Sequence, residues 1–499
     1  MTASKVGNYI YVNGTGNTLA SIASDINDTS FCSYDSATRT LTIEGGTTRY
    51  FRIRNGGVLT IGDSTDYSVS ETLNFNGTSN YQIRFYVDAG GALYQYGNTT
   101  IDMMVGAGIP YYTYIYGKIY IDGNTTYKPV WKNYMRFYFV EGQNNNTYTN
   151  DVWYMNNVII GSSCTANYYA FYFNSMGKVR NHTFKNLTFD KTYGRGMAMY
   201  AMRFPYHYNG MRNMTFENIN FHNVGNYPIY SGGAGVHLKG ITFGTTTSWK
   251  CLVYGSYNHN GDVSQGTYGI GVEHRAGQRF MYLEDATFTN NNSQNHLLCQ
   301  YGGSVLCKDC DWAGTAGDSI QAAYGGVVML WTGNTFSSGR EVYDVDFDGR
   351  VQRVHALTVV VKDSNGVAIE DATVSIEQSE GKEGIIFYTN SDGKVKTDHD
   401  LECALLTYQH QYGNSKTTNV EDWSNSSNNT YHRVTVSKTG YDTTYTDVIM
   451  STGDQTITIT LPDKSVQKDS NGIMMSTDGE MFFNTDKSND GKKINLIKL

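Results

Sequence analysis

A six-residue pattern of apolar and polar positions recurs through the middle of the chain. Its clear copies are FKNLTF (184–189), FENINF (216–221), LKGITF (238–243), LEDATF (283–288), CKDCDW (307–312) and WTGNTF (331–336). The last residues of these copies, at 189, 221, 243, 288, 312 and 336, are 32, 22, 45, 24 and 24 residues apart. We interpret the interval of 32 as one turn with a longer loop and the interval of 45 as two turns. A period in the low twenties is typical of a solenoid.

Each position of the pattern has a structural interpretation. The third residue is always Asn, Asp or Gly, the types that best tolerate a left-handed backbone, so a bend is expected there. The fourth and sixth residues then share one face of a strand, which must point inward, and the fifth points outward. Neighbouring turns would lie about 4.8 Å apart. The sequence therefore predicts one internal file of rings that contains Phe189, Phe221, Phe243 and Phe288.

The amino-terminal part contains similar short strands, such as TLTIEGG, GGVLTIGD and GKIYIDG, each ending in a Gly or Asp turn. Before them, apolar residues at helical spacing predict a short helix over 19–27, with Asn17 or Thr18 as its cap. The helix would cover the exposed first turn. With roughly 23 residues per turn we expect roughly 12–14 turns. Residues of about 30–350 resemble right-handed parallel β-helix proteins, the architecture of pectate lyases and many phage tailspikes.

The repeat stops near residue 350 and a different pattern follows. Short alternating strands joined by Gly and Asp turns, as in HALTVVVKDSNGVAIEDATVSIEQ, predict a small antiparallel β-sandwich. This segment resembles carboxypeptidase-regulatory-like modules and collagen-adhesin B-type repeats, which implies an immunoglobulin-like fold that acts as a spacer or a binding unit. The last residues predict a hairpin with Asp478-Gly479 at its turn. The fold class is thus all-β, with a cap at 1–30, a β-helix at 31–350, a sandwich at 354–463 and an extension at 464–499.

Charge and composition narrow the range of functions. Charged residues make up 17% of the chain and the net charge is −8, without a dense Lys/Arg cluster, so nucleic acid is not an expected partner. No run of 18 apolar residues predicts a membrane span, and the first residues do not predict a secretory signal. The second position of the repeat alternates in sign over Lys185, Glu217, Lys239, Glu284 and Lys308. Opposite charges in adjacent turns predict weak support for the strand register.

Several side chains are of residue types that act in catalysis or bind metals. Enzymes of the resembled fold place carboxylates on one outward face, and here Glu284, Asp309 and Asp311 are the catalytic candidates, with Glu273-His274-Arg275 and Arg279 as a further charged cluster. A glycosidase needs its carboxyls ~5 Å or ~6.5–9.5 Å apart, which a sequence alone does not give. Cys307 and Cys310, with His296 and Cys299 upstream, match zinc ligand types. They also occupy inward columns of the repeat, and we interpret them as core residues. No metal and no cofactor is predicted.

Tyrosine is unusually abundant, with 41 residues. Clusters such as YYTYIYGKIY (111–120) predict outward aromatic columns that either pack against another subunit or stack on sugar rings. Tyr112, Tyr114 and Tyr116 are the candidate ligand-binding residues. Packing is the favoured interpretation of the two.

The architecture and the charge-poor, Asn-, Gly- and Thr-rich composition favour a structural protein on the surface of a tailed phage or similar virus, as a fibre, spike or decoration component. Such a protein would contact a host surface or glycans and associate with other virion proteins or with copies of itself, as a homotrimer if it is a spike. A polysaccharide lyase or glycoside hydrolase on the same scaffold is one alternative, and a cellular surface adhesin is another.

Overall fold

The structure is a computed structural model, and it describes most of the chain. The described residues are 3–77, 83–105, 112–133, 136–140, 152–162, 169–174, 182–190, 200–204, 214–222, 224, 227–231, 236–244, 251–256, 280–289, 295–300, 303–314, 318–337, 343–346, 349–378, 385–397, 401–411, 420–422, 431–450, 453–464, 466–468, 474–476, 481–484 and 496–498. The chain divides into two compact units, one of residues 1–269, 280–352 and 411–420, the other of residues 270–279, 353–410 and 421–499.

The first unit is a coil whose strands stack into three long sheets. Sheet I consists, in spatial order, of β1 (Ala3–Val6), β2 (Tyr9–Val12), β5 (Arg49–Ile53), β8 (Ile83–Val87), β11 (Tyr112–Ile115), β14 (Arg136–Val140), β17 (Tyr169–Asn174), β20 (Tyr200–Phe204), β23 (Tyr227–Ser231), β26 (Cys251–Ser256), β29 (Asn295–Gln300), β32 (Asp318–Ala323) and β35 (Tyr343–Asp346). Sheet II has β6 (Val58–Ile61), β9 (Ala92–Tyr96), β12 (Lys118–Asp122), β15 (Trp153–Asn156), β18 (His182–Lys185), β21 (Met214–Glu217), β24 (His237–Lys239), β27 (Met281–Glu284), β30 (Ser304–Lys308) and β33 (Val327–Leu330).

Sheet III completes each turn. Its strands are β3 (Cys32–Asp35), β4 (Thr40–Glu44), β7 (Glu71–Asn76), β10 (Thr99–Val105), β13 (Val130–Asn133), β16 (Ile159–Ser162), β19 (Thr188–Asp190), β22 (Asn220–His222), β25 (Thr242–Phe243), β28 (Thr287–Phe288), β31 (Asp311–Trp312) and β34 (Thr335–Phe336). From β4 to β35 the chain visits sheets III, I and II in turn, and from β7 to β35 each strand pairs in parallel with the strand three places earlier. This connectivity is that of a parallel β-helix.

The repeat seen in the sequence has the geometry it predicts. The third residues have a left-handed backbone, with φ of +54° at Asn186, +56° at Asn218, +54° at Asp285 and +53° at Asp309. The sixth residues form one buried file in sheet III, where Phe189 stacks on Phe221, Phe221 on Phe243, and Phe243 on Phe288, with centroids 5.1, 5.4 and 4.9 Å apart. The prediction of a single internal file is confirmed, and Trp312 and Phe336 continue it.

The interpretation of one interval is wrong. Phe243 pairs directly with Phe288, so the interval of 45 residues makes one turn with a long insertion and not two turns. Strand pairing constrains only the residues inside the sheets, whereas a loop between sheets can lengthen without moving any of them. Without the antiparallel edge strand β1, sheet I contributes 12 of its 13 strands to the coil in the described part of the chain. That count lies at the lower end of the predicted range.

The amino-terminal end of the coil carries the predicted helix, α1 (Leu19–Ile26). Thr18 is its N-cap and forms a capping box with Ser21, and Asn27 ends it as a left-handed C-cap with φ +47°. The helix is therefore one residue shorter than the predicted span 19–27. Leu19 and Ile22 are fully buried against the first turn, and they cover apolar residues that an uncapped solenoid would expose to water.

Glycines line the corner between sheets I and II. Each lies where a Cβ atom would overlap a backbone carbonyl oxygen of an earlier turn, and they are Gly57, Gly91, Gly117, Gly326 and Gly349. The side chain is therefore absent for a packing reason, because the chain of one turn passes directly over the chain of the previous one.

The second unit contains a small antiparallel sheet of four strands, β37 (Thr373–Gln378), β38 (Ile385–Tyr388), β41 (His432–Ser437) and β42 (Thr444–Val448). A second group comprises β36 (Arg350–Asp363), which begins in the first unit, and β39 (Ala404–Gln411), β40 (Val420–Asp422) and β43 (Gln455–Leu461). Alternate residues of both groups share one buried core that includes Val359, Val374, Val434 and Ile459. A two-layer sandwich follows from that shared core.

The last residues form a separate antiparallel sheet of β44 (Val466–Lys468), β45 (Met474–Ser476), β46 (Met481–Asn484) and β47 (Leu496–Lys498). Met475 pairs with Met481, so β45 and β46 pair as the hairpin that the sequence predicts. The predicted turn residues Asp478 and Gly479 lie outside the described residues.

Candidate ligand-binding site

Outward tyrosines on sheet I form a continuous ladder. The ring of Tyr114 lies between those of Tyr86 and Tyr138, at centroid distances of 4.9 and 5.0 Å and interplanar angles of 12° and 11°. Tyr116 lies on the same side, 6.2 Å from Tyr114. The side chain of Tyr112 lies outside the described residues. Of the three predicted ligand-binding tyrosines, the structure thus brings Tyr114 and Tyr116 together.

Stacking determines what this ladder offers to a ligand. Both faces of the Tyr114 ring are covered by neighbouring rings, so a sugar could not stack on it without displacing one of them. Burial, followed by the neighbouring phenols Tyr86 and Tyr138, raises the pKa of Tyr114 to about 12. The hydroxyl group therefore remains protonated near neutral pH, and ring edges and hydroxyls are the groups left for contacts. Binding at Tyr114 and Tyr116 stays a prediction.

A second group of tyrosines lies on sheet II and in the turn beside it, and we call it the sheet II tyrosine patch. Its members are Tyr67, Tyr94, Tyr96, Tyr120 and Tyr154, all half-buried. Strand register places Tyr94, Tyr120 and Tyr154 at the same level of successive turns, facing outward. Tyr94 and Tyr120 are 6.1 Å apart with an angle of 38°, and Tyr96 and Tyr120 are 5.9 Å apart with an angle of 50°. Tyr120 also stacks on Tyr154 at 4.6 Å and 10°, which covers one face of its ring, whereas the tilted contacts with Tyr94 and Tyr96 leave parts of the other faces uncovered.

Polar groups surround the patch. The hydroxyl of Tyr67 donates to Asp122 Oδ2 over 2.6 Å, and Asn156 Nδ2 donates to Asp122 Oδ1 over 2.9 Å. Lys118 Nζ donates to the hydroxyl of Tyr94 over 2.9 Å and lies 5.0 Å from the centre of that ring. The hydrogen bond to Asp122, followed by burial, raises the pKa of Tyr67. Aromatic surface bordered by fixed donors and acceptors suits a ligand with both apolar and hydroxyl groups.

Sequence reasoning missed this patch, although part of its signal was present. The strands ALYQY and KIYID alternate, and that alternation puts Tyr94, Tyr96 and Tyr120 on the outward face. The alignment of these strands depends on pairing across a turn, which the less regular amino-terminal repeats do not reveal. Tyr67 comes from a turn region, and no pattern in the sequence predicts that it reaches Asp122.

The predicted catalytic carboxylate Glu284 lies within the charge ladder of sheet II. Register places Lys185 beside Glu217, Glu217 beside Lys239, Lys239 beside Glu284 and Glu284 beside Lys308, so the predicted alternation of charge is confirmed. Lys185 Nζ is 2.6 Å from Glu217 Oε2. Glu284 contacts His237 Nε2 at 2.9 Å, Lys308 Nζ at 3.2 Å and Lys239 Nζ at 3.6 Å.

These partners determine the protonation of Glu284. Partial burial acts to raise its pKa, but the hydrogen bond and charge of Lys308, followed by the charges of Lys239 and His237, outweigh burial and lower the pKa below its ordinary value. A general acid requires the opposite shift. Asp309 contacts Lys308 at 3.4 Å, and Asp311 accepts a hydrogen bond from Thr335 over 3.2 Å. The geometry favours a structural ladder, and catalysis at these carboxylates stays a prediction. The cluster at Glu273–Arg279 lies outside the described residues.

Replacing Glu284 by glutamine is expected to lower the free energy of unfolding by about 1 kcal/mol at pH 7, because it removes the charge from the ion pairs with Lys308 and Lys239. Burial lowers the pKa of His237, so its contact with Glu284 at pH 7 is a hydrogen bond to a neutral ring. A lowered folded-state pKa stabilises the fold above the unfolded value of about 4.3 and loses that effect as pH falls through the folded value. Urea denaturation should therefore show a gap between wild type and variant at pH 7 that shrinks at pH 3.5. Glu370→Gln, at an exposed position, is the control, and a gap independent of pH would contradict the assignment.

The cysteines singled out for zinc are core residues. Cys299, Cys307 and Cys310 are completely buried and are free thiols. Cys299 donates to the carbonyl oxygen of Gly303 over 3.1 Å, and Cys310 to that of Lys308 over 3.4 Å. Burial raises the pKa of Cys299 to about 12. His296 is equally buried, 5.6 Å from the ring of Phe288. Among the described residues, no group of three or more His, Cys, Asp or Glu side chains is placed to hold a metal ion.

No protein-family model, no curated protein and no solved structure matches this chain. The parallel β-helix is therefore established by strand pairing alone, and the family resemblances drawn from the sequence stay predictions. Within the described part of the chain, no helix has the length and apolar character needed to cross a membrane.

Proposed function

We propose that this protein is a structural component of a virion surface whose solenoid binds glycans through the sheet II tyrosine patch. The observation that carries the proposal is the geometry of that patch, where tilted tyrosine rings are bordered by Asp122, Asn156 and Lys118. Pyranose rings combine apolar C–H faces with hydroxyl edges. Aromatic rings with adjacent carboxylate, amide and ammonium groups complement both parts.

The charges at the patch favour a neutral glycan. Asp122 already accepts hydrogen bonds from Tyr67 and Asn156, and Lys118 already donates to Tyr94, so these polar groups are held in place before a ligand arrives. Groups fixed in this way lose little conformational entropy on binding. One carboxylate and one ammonium group also leave the patch without an excess of either charge.

The virion location is proposed from architecture and composition. A coil of stacked strands and a small sandwich module in one chain are suited to a component of a particle surface. The charge content of 17%, below the typical ~25%, fits a protein with few solvated charged faces. Mass spectrometry of purified particles from a culture that produces this chain tests the location. Detection at a fixed copy number supports it, and absence from intact particles overturns it.

Binding is tested by applying the full chain to an array of neutral oligosaccharides and titrating the strongest binder by calorimetry. Tyr96→Ala and Tyr120→Ala are each expected to weaken the affinity at least tenfold, because each removes a ring from the patch. Tyr388→Ala is the matched control, since Tyr388 is 55% exposed in the sandwich unit. Absence of binding on the array, or equal losses in Tyr388→Ala, would contradict the proposal.

A further inference from the structure

The first turns of sheet I carry arginines among the outward tyrosines. Register aligns Tyr11 with Arg52 and Arg52 with Tyr86 in one column, and Tyr50 with Arg84 in the next. We call Tyr11, Tyr50, Arg52, Arg54, Arg84 and Tyr86 the arginine–tyrosine array.

Each arginine of the array stacks on a tyrosine. The guanidinium carbon of Arg54 is 3.7 Å from the ring centre of Tyr11, and that of Arg52 is 4.7 Å from the ring centre of Tyr86. Arg84 lies 5.7 Å from the ring centre of Tyr50. A guanidinium group that lies over a ring turns its N–H donors sideways, where they can pair with a planar or tetrahedral anion.

The array has an excess of positive charge. Among the described outward residues of β2, β5, β8 and β11 and those directly after these strands, Asp88 is the one carboxylate. It is engaged by Arg52 in a bidentate pair, with Nε–Oδ2 and Nη2–Oδ1 distances of 3.0 and 2.6 Å. Three arginines and one carboxylate thus leave the described part of this surface with a net positive charge. Arg54 is also exposed.

We propose that the arginine–tyrosine array binds an acidic polysaccharide through its carboxylate or sulfate groups. Such a ligand would run obliquely across two turns about 4.8 Å apart, because Arg52 and Arg54 lie on one turn and Arg84 lies on the next, in register with Tyr50. Nucleic acid is a poorer fit, since base recognition needs open ring faces and the adjoining Tyr86, Tyr114 and Tyr138 cover one another. The array offers hydroxyl and guanidinium edges instead, which match the anionic and hydroxyl groups of a uronic or sulfated sugar.

The full chain is titrated with dextran sulfate, polygalacturonate and uncharged dextran at low ionic strength. We expect binding to the first two that added salt weakens, whereas any dextran bound at the sheet II tyrosine patch should be insensitive to salt and to substitution of the arginines. The double substitution Arg54→Gln/Arg84→Gln should weaken binding at least tenfold. Arg54→Lys should lose part of the affinity, because the charge remains and the bidentate edge does not. Arg433→Gln is the matched control, since Arg433 stacks on Tyr445 at 4.7 Å but lies in the other unit.

Several results would overturn the inference: equal binding of polygalacturonate by the double variant and wild type, polyanion binding that added salt leaves unchanged, or tighter binding of single-stranded oligothymidylate than of polygalacturonate. Self-association that the double variant abolishes, measured by sedimentation without polyanion, would assign the array to a second copy instead. Thermal unfolding of each variant shows whether the fold is retained. The site is separate from the sheet II tyrosine patch, so Tyr96→Ala should leave dextran sulfate binding unchanged, and either proposal can fail alone.

Discussion

Replacing Phe243 by alanine is expected to lower the free energy of unfolding of the solenoid by about 4 kcal/mol. The side chain is fully buried, and its ring is stacked on Phe221 at 5.4 Å and on Phe288 at 4.9 Å. Truncation would leave a cavity with aromatic walls above and below. The two neighbouring turns cannot close it, because the spacing of the turns is set by backbone hydrogen bonds such as that from Thr287 N to the Ile241 oxygen, at 2.7 Å.

Guanidinium denaturation of the full chain, followed by tryptophan fluorescence, measures this loss. Phe243→Leu should cost less than half as much, because it retains most of the volume. Thr242→Ala is the matched control, since Thr242 is adjacent in sequence, exposed and outward-facing. Equal unfolding midpoints for Phe243→Ala and Thr242→Ala would mean that the stacked file does not stabilise the coil.

The internal file was predictable because three independent signals coincide at each copy of the repeat. A left-handed residue, as at Asn218, sets the bend, and the alternation after it sets which side chains point inward. The sixth residue is then large and apolar in every clear copy, so similar rings lie at equal positions in adjacent turns. The alternation of positive and negative side chains in adjacent turns follows from the same register, since Glu217 and Lys239 occupy the second position of neighbouring copies.

The candidate sites were less predictable, because they depend on which strands become neighbours. Tyr114 and Tyr116 were identified from a dense cluster, but the covering of Tyr114 by Tyr86 and Tyr138 required the register of three turns. In the amino-terminal turns the spacing varies, so a tyrosine cannot be assigned to a column by counting. The prediction of two turns between Phe243 and Phe288 was wrong for a related reason, because a loop adds residues without adding a turn.

The corner glycines illustrate a further limit of the sequence. Gly56 and Gly57 are adjacent and look alike in a turn, yet the structure gives them different roles. Gly56 has φ +76° with open space around it, whereas a Cβ on Gly57 would overlap the carbonyl oxygen of Val12. Only the first role, conformational freedom, is the usual meaning of a glycine pair in a turn. The second role arises from the turn stacked beneath.

Substituting Gly57 by alanine is therefore expected to destabilise the coil by about 3 kcal/mol or more. The Val12 oxygen accepts a hydrogen bond from Arg54 N at 3.1 Å, and Gly57 N donates to the Arg54 oxygen at 2.7 Å. Both bonds belong to the corner that joins the first turn to the second. A methyl group pushed against the Val12 carbonyl would have to separate the two turns, and loss of a buried backbone hydrogen bond adds to the cost.

Gly56→Ala provides the matched comparison, because it introduces the same methyl group one residue earlier at open space. It should cost roughly 1 kcal/mol, the penalty of a left-handed backbone for an alanine. Thermal and guanidinium unfolding of both variants measure which substitution costs more stability. Soluble expression of Gly56→Ala but not of Gly57→Ala would indicate the same order. If Gly57→Ala were as stable as Gly56→Ala, the first two turns could separate without loss. Close backbone contact at the corner would then not be a condition for stacking the coil.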